Sequence, residues 1–128
     1  MLILNRAEVE AALDLDALRR AVGAAMMDVS AGRVSMPTRI AARVDDEGAL
    51  LATMPASLPA TPALAAKLVT VFPRNARGAL PTHQAVIVVF DPGNGSALAL
   101  LDGTYITAAR TAAASALSVD CLARSGSR

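Results

Sequence analysis

The spacing of apolar residues changes partway along this chain, and that change limits the folds open to it. Between Asp16 and Gly32, the residues Leu18, Val22, Ala25, Met26 and Val29 recur at intervals of three and four, the stripe of an amphipathic helix. From Pro37 the period drops to two. In PTRIAARV, Thr38, Ile40, Ala42 and Val44 fall on one side and Arg39, Ala41 and Arg43 on the other, as along a strand. Four more strand-like runs follow, ALLATMP, LAAKLVTVF, QAVIVVF and ALALLD. The connections include DDEG, the Pro-rich bend ASLPATP and DPGNGS, in which glycines stand where a turn needs positive φ. Helices first and then strands joined by short turns imply an α+β fold with a mostly antiparallel sheet.

The helix ends are marked locally. Asn5-Arg6-Ala7-Glu8 has the spacing of an N-cap with its reciprocating glutamate, which predicts a brief helix to about Leu13. Asp14 or Asp16 caps the second helix and Gly32 stops it. The methionines of its stripe read as core filler. The run GTYITAARTAAASALSVDCLARS is an Ala-rich third helix opening near Asp102 or Thr104. Thr107, Arg110, Thr111, Ala114, Ser115 and Ser118 share one of its faces. Small and hydroxyl residues there let another backbone or a ligand come close, and suit a helix that leaves the domain.

Length fits one domain with a real core, since the chain has 128 residues. Apolar residues are 54% of it and aromatics only 2%, so Ala, Leu and Val must build that core. Part of the apolar surface is then expected to meet another domain or subunit. The net charge is +1 with cations scattered along the chain, which argues against nucleic acid as a partner. Cys121 is the single cysteine, so no internal disulfide forms and a reducing compartment is expected. No apolar run approaches the roughly 20 residues of a membrane helix. Acidic residues interrupt the N-terminus as a leader. These features predict a cytoplasmic protein with no membrane partner.

Few residues are candidates for chemistry. Lys67 stands in an apolar strand, either as an edge-strand guard against aggregation or as a cation aimed into a cavity. Arg39 is either part of a solvated face with Arg43 or an anion ligand. Arg110 has no acid within four residues on its helix, which favours an external anion. His83 is the only histidine and reads as structural or catalytic. Cys121 reads as buried filler beside Leu117. One His and one Cys give no metal site of the usual zinc kinds, and no phosphate loop or nucleophile elbow occurs. Arg39, Lys67 and Arg110 are the coherent set, and cations without an acid or base bind an anion rather than transform it.

The segments MPTRI, ATMPASLP, KLVTVFP, PTHQ, LLDGTYIT and ARTAAASALS, in this order, resemble the N-terminal part of the ornithine cyclodeaminase/mu-crystallin family across essentially the whole chain. The resemblance implies a homodimeric enzyme using NAD or NADP on a small amino acid or cyclic imine, by oxidative deamination with cyclisation or by ketimine reduction. It implies substrate binding by Arg39, Lys67 and Arg110, and cofactor contacts from Thr82, Arg110 and Thr111. Residues 1–103 would bind substrate and dimerise through the sheet. Residues 104–124 would lead toward a Rossmann domain absent from this chain, and residues 125–128 would form a tail. The family's catalytic Asp would lie beyond Arg128, so no catalytic residue is expected here and the chain alone should not turn over. Ala52 stands where ornithine-specific members place a Glu, which speaks against ornithine itself. The alternative is a non-catalytic module that dimerises or binds a ligand, crystallin-like.

Overall fold

The computed structural model describes residues 1–59 and 62–126. Its order is β1 (Leu2–Leu4), α1 (Arg6–Ala12), α2 (Leu15–Ser30), β2 (Ile40–Arg43), β3 (Leu50–Leu58), β4 (Ala63–Val71), a 3-10 turn (Pro73–Arg77), β5 (His83–Phe90), β6 (Ala97–Asp102) and α3 (Gly103–Leu122). The fold is α+β, as the change of period implies. One six-stranded sheet runs β1-β6-β5-β4-β3-β2, antiparallel except where β1 lies parallel to β6. No helix among the described residues is long and apolar enough to cross a membrane.

Local chemistry sets the helix starts. The Asn5 side chain accepts from the Glu8 N–H at 3.1 Å while Glu8 accepts from the Asn5 N–H at 2.8 Å, the reciprocal cap read from the sequence. Asp14, rather than Asp16, caps α2 by accepting from the Ala17 N–H at 2.8 Å. Past its end Gly32 turns left-handed with φ of 68°. Asp102 caps α3 through the Tyr105 N–H at 2.9 Å.

Several expectations need correction. To the five strands expected the structure adds a sixth, β1, whose three residues are too few for periodicity to reveal. The third strand runs on to Leu58 instead of bending at Ala56, while residues 60 and 61 of the expected bend lie outside the described residues. Pro55 tolerates this because Ser57, two residues on, exchanges hydrogen bonds with Ser35, on the side away from β4. The Pro55 nitrogen is turned to that same side, where β2 pairing ends at Thr53, so no ladder bond is lost. Cys121 and Met26 are exposed because the groove between α2 and α3 stays open beside Leu117, and Val29 of the α2 stripe is exposed too.

The core is small: Ala52, Val69 and Ala85 are buried, with Leu50 and Met54 packed on them. The third helix crosses the sheet over β5, reaching β4, and α2 packs on α3 as an outer layer. The approach is close at Gly103, where an added Cβ would sit 3.0 Å from the backbone and side chain of Ala85. The strand β6 ends just there, and the Ala85 N–H donates instead to the Thr104 hydroxyl at 2.9 Å. Gly103→Val is expected to force α3 off β5 and destabilise the fold by about 1–3 kcal/mol. Thermal unfolding against the wild type would show it as a lower Tm, and an unchanged Tm would disprove the close contact.

Candidate functional site

Strand alternation and the crossing of α3 together build a cavity of about 420 Å3 on one face of the sheet. The residues Lys67, Val69 and Val71 of β4 line it, every second position as the pleat demands. Their cross-strand partners Met54, Ala52 and Leu50 line it too. Arg39 and Ala41 enter from the β2 side and His83 from the start of β5. The helix α3 closes the cavity with Thr107 and Arg110, one helical turn apart. The Arg39 side of the PTRIAARV alternation is therefore the cavity side, as the period-two reading separates it from Ile40.

The sheet order decides between the two readings of Lys67. Strand β4 lies between β3 and β5, so Lys67 is not an edge guard. It is partly buried, while Arg39 and Arg110 stand exposed at the rim. Among the described residues none of the three forms an ion pair, whereas Arg6, Arg19, Arg33 and Arg74 pair with Glu10, Asp120, Asp28 and Asp45. Among the described residues no carboxylate lines the cavity. Burial pushes the Lys67 ammonium below the ordinary lysine value of 10.5, and the nearby charges of Arg110 and Arg39 push it further the same way. A larger groove, about 620 Å3, lies between α2 and α3. It is walled mainly by alanines, and its one arginine, Arg19, is held by Asp120, so charge selects the smaller cavity.

The cavity thus brings together Arg39, Lys67 and Arg110. It does not include Thr82 or Thr111, which are both exposed; the Thr82 carbonyl accepts from the Phe72 N–H at 2.8 Å and the Thr111 hydroxyl donates to the Thr107 carbonyl at 2.7 Å. It adds His83 and Thr107, which the sequence offered only as a lone histidine and one member of a hydroxyl-rich helix face. No group of three or more metal-binding side chains occurs among the described residues.

Known proteins resemble the chain in sequence and in fold. The model of the ornithine cyclodeaminase/mu-crystallin family matches residues 1–128, and the chain belongs to that family. It is 45% identical over 96 residues to the ketimine reductase mu-crystallin of Rattus norvegicus, covering 75% of this chain and 31% of that protein. The fold matches the Δ1-pyrroline-2-carboxylate reductase of Thermococcus litoralis, solved with NADH and L-proline, with a TM-score of 0.92 and 35% identity over 100% of this chain and 40% of that one. It also matches an archaeal alanine dehydrogenase dimer with bound NAD, with a TM-score of 0.88 and 34% identity over 99% of this chain and 38% of that one. The chain therefore spans about a third of the length of the rat relative.

The lowered Lys67 pKa has a sign that can be checked. The fold favours the neutral amine, so charged Lys67 costs stability at neutral pH, and this cost fades as pH rises through the lowered pKa. An anion in the cavity acts oppositely, by favouring the ammonium. Binding of a simple carboxylate such as pyrrole-2-carboxylate should weaken as pH rises through a window opening below 10.5. Calorimetry across that range would detect the loss together with proton uptake. Lys67→Arg, which stays charged, should flatten the profile, and an equally steep profile in that variant would refute the assignment.

Proposed function

We propose that this chain is the substrate-binding half of an ornithine cyclodeaminase-like, NAD- or NADP-dependent enzyme acting on an amino acid or a cyclic imine. The observation that carries the reading is the cavity with three cations, none ion-paired within the described residues, and no acid in its lining. A carboxylate fits that set: Arg39 and Arg110 offer planar forks and Lys67 a point charge. The wall of Leu50, Ala52 and Met54 takes the carbon skeleton. A distal ammonium would find no acid there, which favours a ring or a short uncharged side chain over ornithine. The relatives solved with L-proline, NADH and NAD support the same reading.

The nicotinamide cofactor is read as touching this chain along one edge only. Arg110 at the cavity rim and the Thr82 side chain are donors that suit ribose and phosphate oxygens, while Thr111, whose O–H is given to the Thr107 carbonyl, can accept from a ribose hydroxyl. They fit the edge of a dinucleotide, and the rest is held outside these residues, since the chain carries no glycine-rich strand-to-helix turn. When bound, the nicotinamide supplies or accepts the hydride at the substrate Cα. The residues here fix the carboxylate so that the Cα is presented in one orientation, which is the large entropic part of such a step. The net reaction is ketimine reduction, or oxidative deamination with cyclisation. The single cysteine suits a cytoplasmic setting.

The opposite sheet face supports a homodimer. Ile40, Leu68 and Val86 are 71%, 37% and 40% exposed. They lie in one row across the sheet, because Ile40 and Leu68 both pair with Thr53, and Leu68 pairs with Val86. Light scattering on Leu68→Lys should show monomer where the wild type shows dimer.

A chimera tests the enzymatic reading: this chain replaces the matching N-terminal part of the Thermococcus litoralis reductase, and NADH oxidation is followed with Δ1-pyrroline-2-carboxylate. Turnover is expected, and Lys67→Ala and Arg110→Ala should each lower kcat/KM by about 100-fold through the lost charge contact. A folded chimera that binds NADH yet ignores the imine would favour the non-catalytic module instead.

A further inference from the structure

The Ser and Thr hydroxyls of α3 are satisfied in a regular way, with one exception. Thr104 accepts from the Ala85 N–H at 2.9 Å. Thr111, Ser115 and Ser118 donate to the carbonyls four residues back at 2.7, 3.1 and 3.0 Å, the usual resting place of such hydroxyls in a helix. Thr107 makes no such bond: its Oγ1 is buried and has no hydrogen-bond partner among the described residues. Thr107 also lines the cavity, one turn before Arg110. A buried hydroxyl left unpaired is costly, and a ligand atom in the cavity would relieve that cost.

The donor and acceptor inventory says which ligand atom. Arg39, Lys67 and Arg110 can only donate while charged, and they supply a carboxylate with more donors than it needs. The other lining side chains are apolar, except His83 and Thr107. A substrate nitrogen carrying N–H therefore has few acceptors in this cavity. We infer that the Thr107 hydroxyl accepts a hydrogen bond from the substrate's amino or imino N–H, making Thr107 a positioning residue that selects nitrogen-bearing acids. The inference rests on the carboxylate-binding reading above and adds a second point of attachment. Two anchors fix the orientation of the Cα–N bond, where the carboxylate clamp alone leaves it free to rotate about the carboxylate axis.

The test compares two probes in chemical-shift titrations of the chain: L-proline, and cyclopentanecarboxylate, which keeps ring and carboxylate but lacks the N–H. Thr107→Val is expected to weaken L-proline binding about tenfold, the size of one unpaired polar group. It should leave cyclopentanecarboxylate unchanged. Thr107→Ser, which keeps the hydroxyl, should restore most of the L-proline affinity. Equal weakening of both probes by Thr107→Val, or of neither, overturns the inference. Arg110→Ala should weaken both probes. If it does and Thr107→Val does not discriminate, only the Thr107 contact falls. If the wild type binds neither probe, or Arg110→Ala leaves both unchanged, the carboxylate clamp falls and takes the Thr107 contact with it.

Discussion

Everything functional in this fold depends on how closely α3 rests on β5. Gly103 and Ala85 meet at a separation that leaves almost no room for a Cβ. The Thr104 hydroxyl locks the contact by taking the one Ala85 N–H that β6 no longer pairs. This fixes the height and rotation of the helix above the sheet. Thr107 and Arg110, on the next two turns, thereby share the lining of one cavity with Lys67 and Val69. A larger residue at either contact point would lift the wall of the cavity. The low aromatic content is consistent with this economy, since small side chains let backbone elements approach.

Closeness has an electrostatic consequence. It gathers three cations in one cavity with no carboxylate among its described lining residues; burial lowers the Lys67 pKa, and the charges of Arg110 and Arg39 lower it further. Like charges held together without relief are unfavourable, and natural structures usually pair or disperse them. Elsewhere on this chain four arginines find acids, as Arg33 does with the buried Asp28. Three cations in one cavity, none ion-paired among the described residues, leave room for an anion as their counter-charge. The chain belongs to the ornithine cyclodeaminase/mu-crystallin family, and the amino- or imino-acid carboxylate proposed for this cavity is an anion of the kind that cluster would take.

What could be read in the sequence was whatever depends on near neighbours. Asn5, Asp14 and Asp102 announce helix starts because each cap bonds a residue three positions away. The alternation that separates Arg39 from Ile40 is a property of one strand. Residues whose role depends on distant partners stayed ambiguous. Lys67 could not be told from an edge lysine until strand order placed β4 inside the sheet. The strand β1 is only three residues long and pairs with the far end of the chain, so no local pattern marks it. Met26 and Cys121 looked like core because apolar residues flank them, but burial depends on whether α2 and α3 close over the groove, and they do not. Thr107 belonged to a recognisable hydroxyl face. Its unpaired state arises only where α3 crosses the cavity.

The central claim is that Arg39, Lys67 and Arg110 act together on one carboxylate. A crystal structure of the chain with pyrrole-2-carboxylate tests it most directly, because that ligand is a planar anion of the size the cavity admits. The account predicts the carboxylate lying within hydrogen-bond reach of all three cations, with the ring against Ala52 and Met54. A ligand found instead in the groove between α2 and α3, or held by Arg110 while Lys67 stays apart, would contradict it.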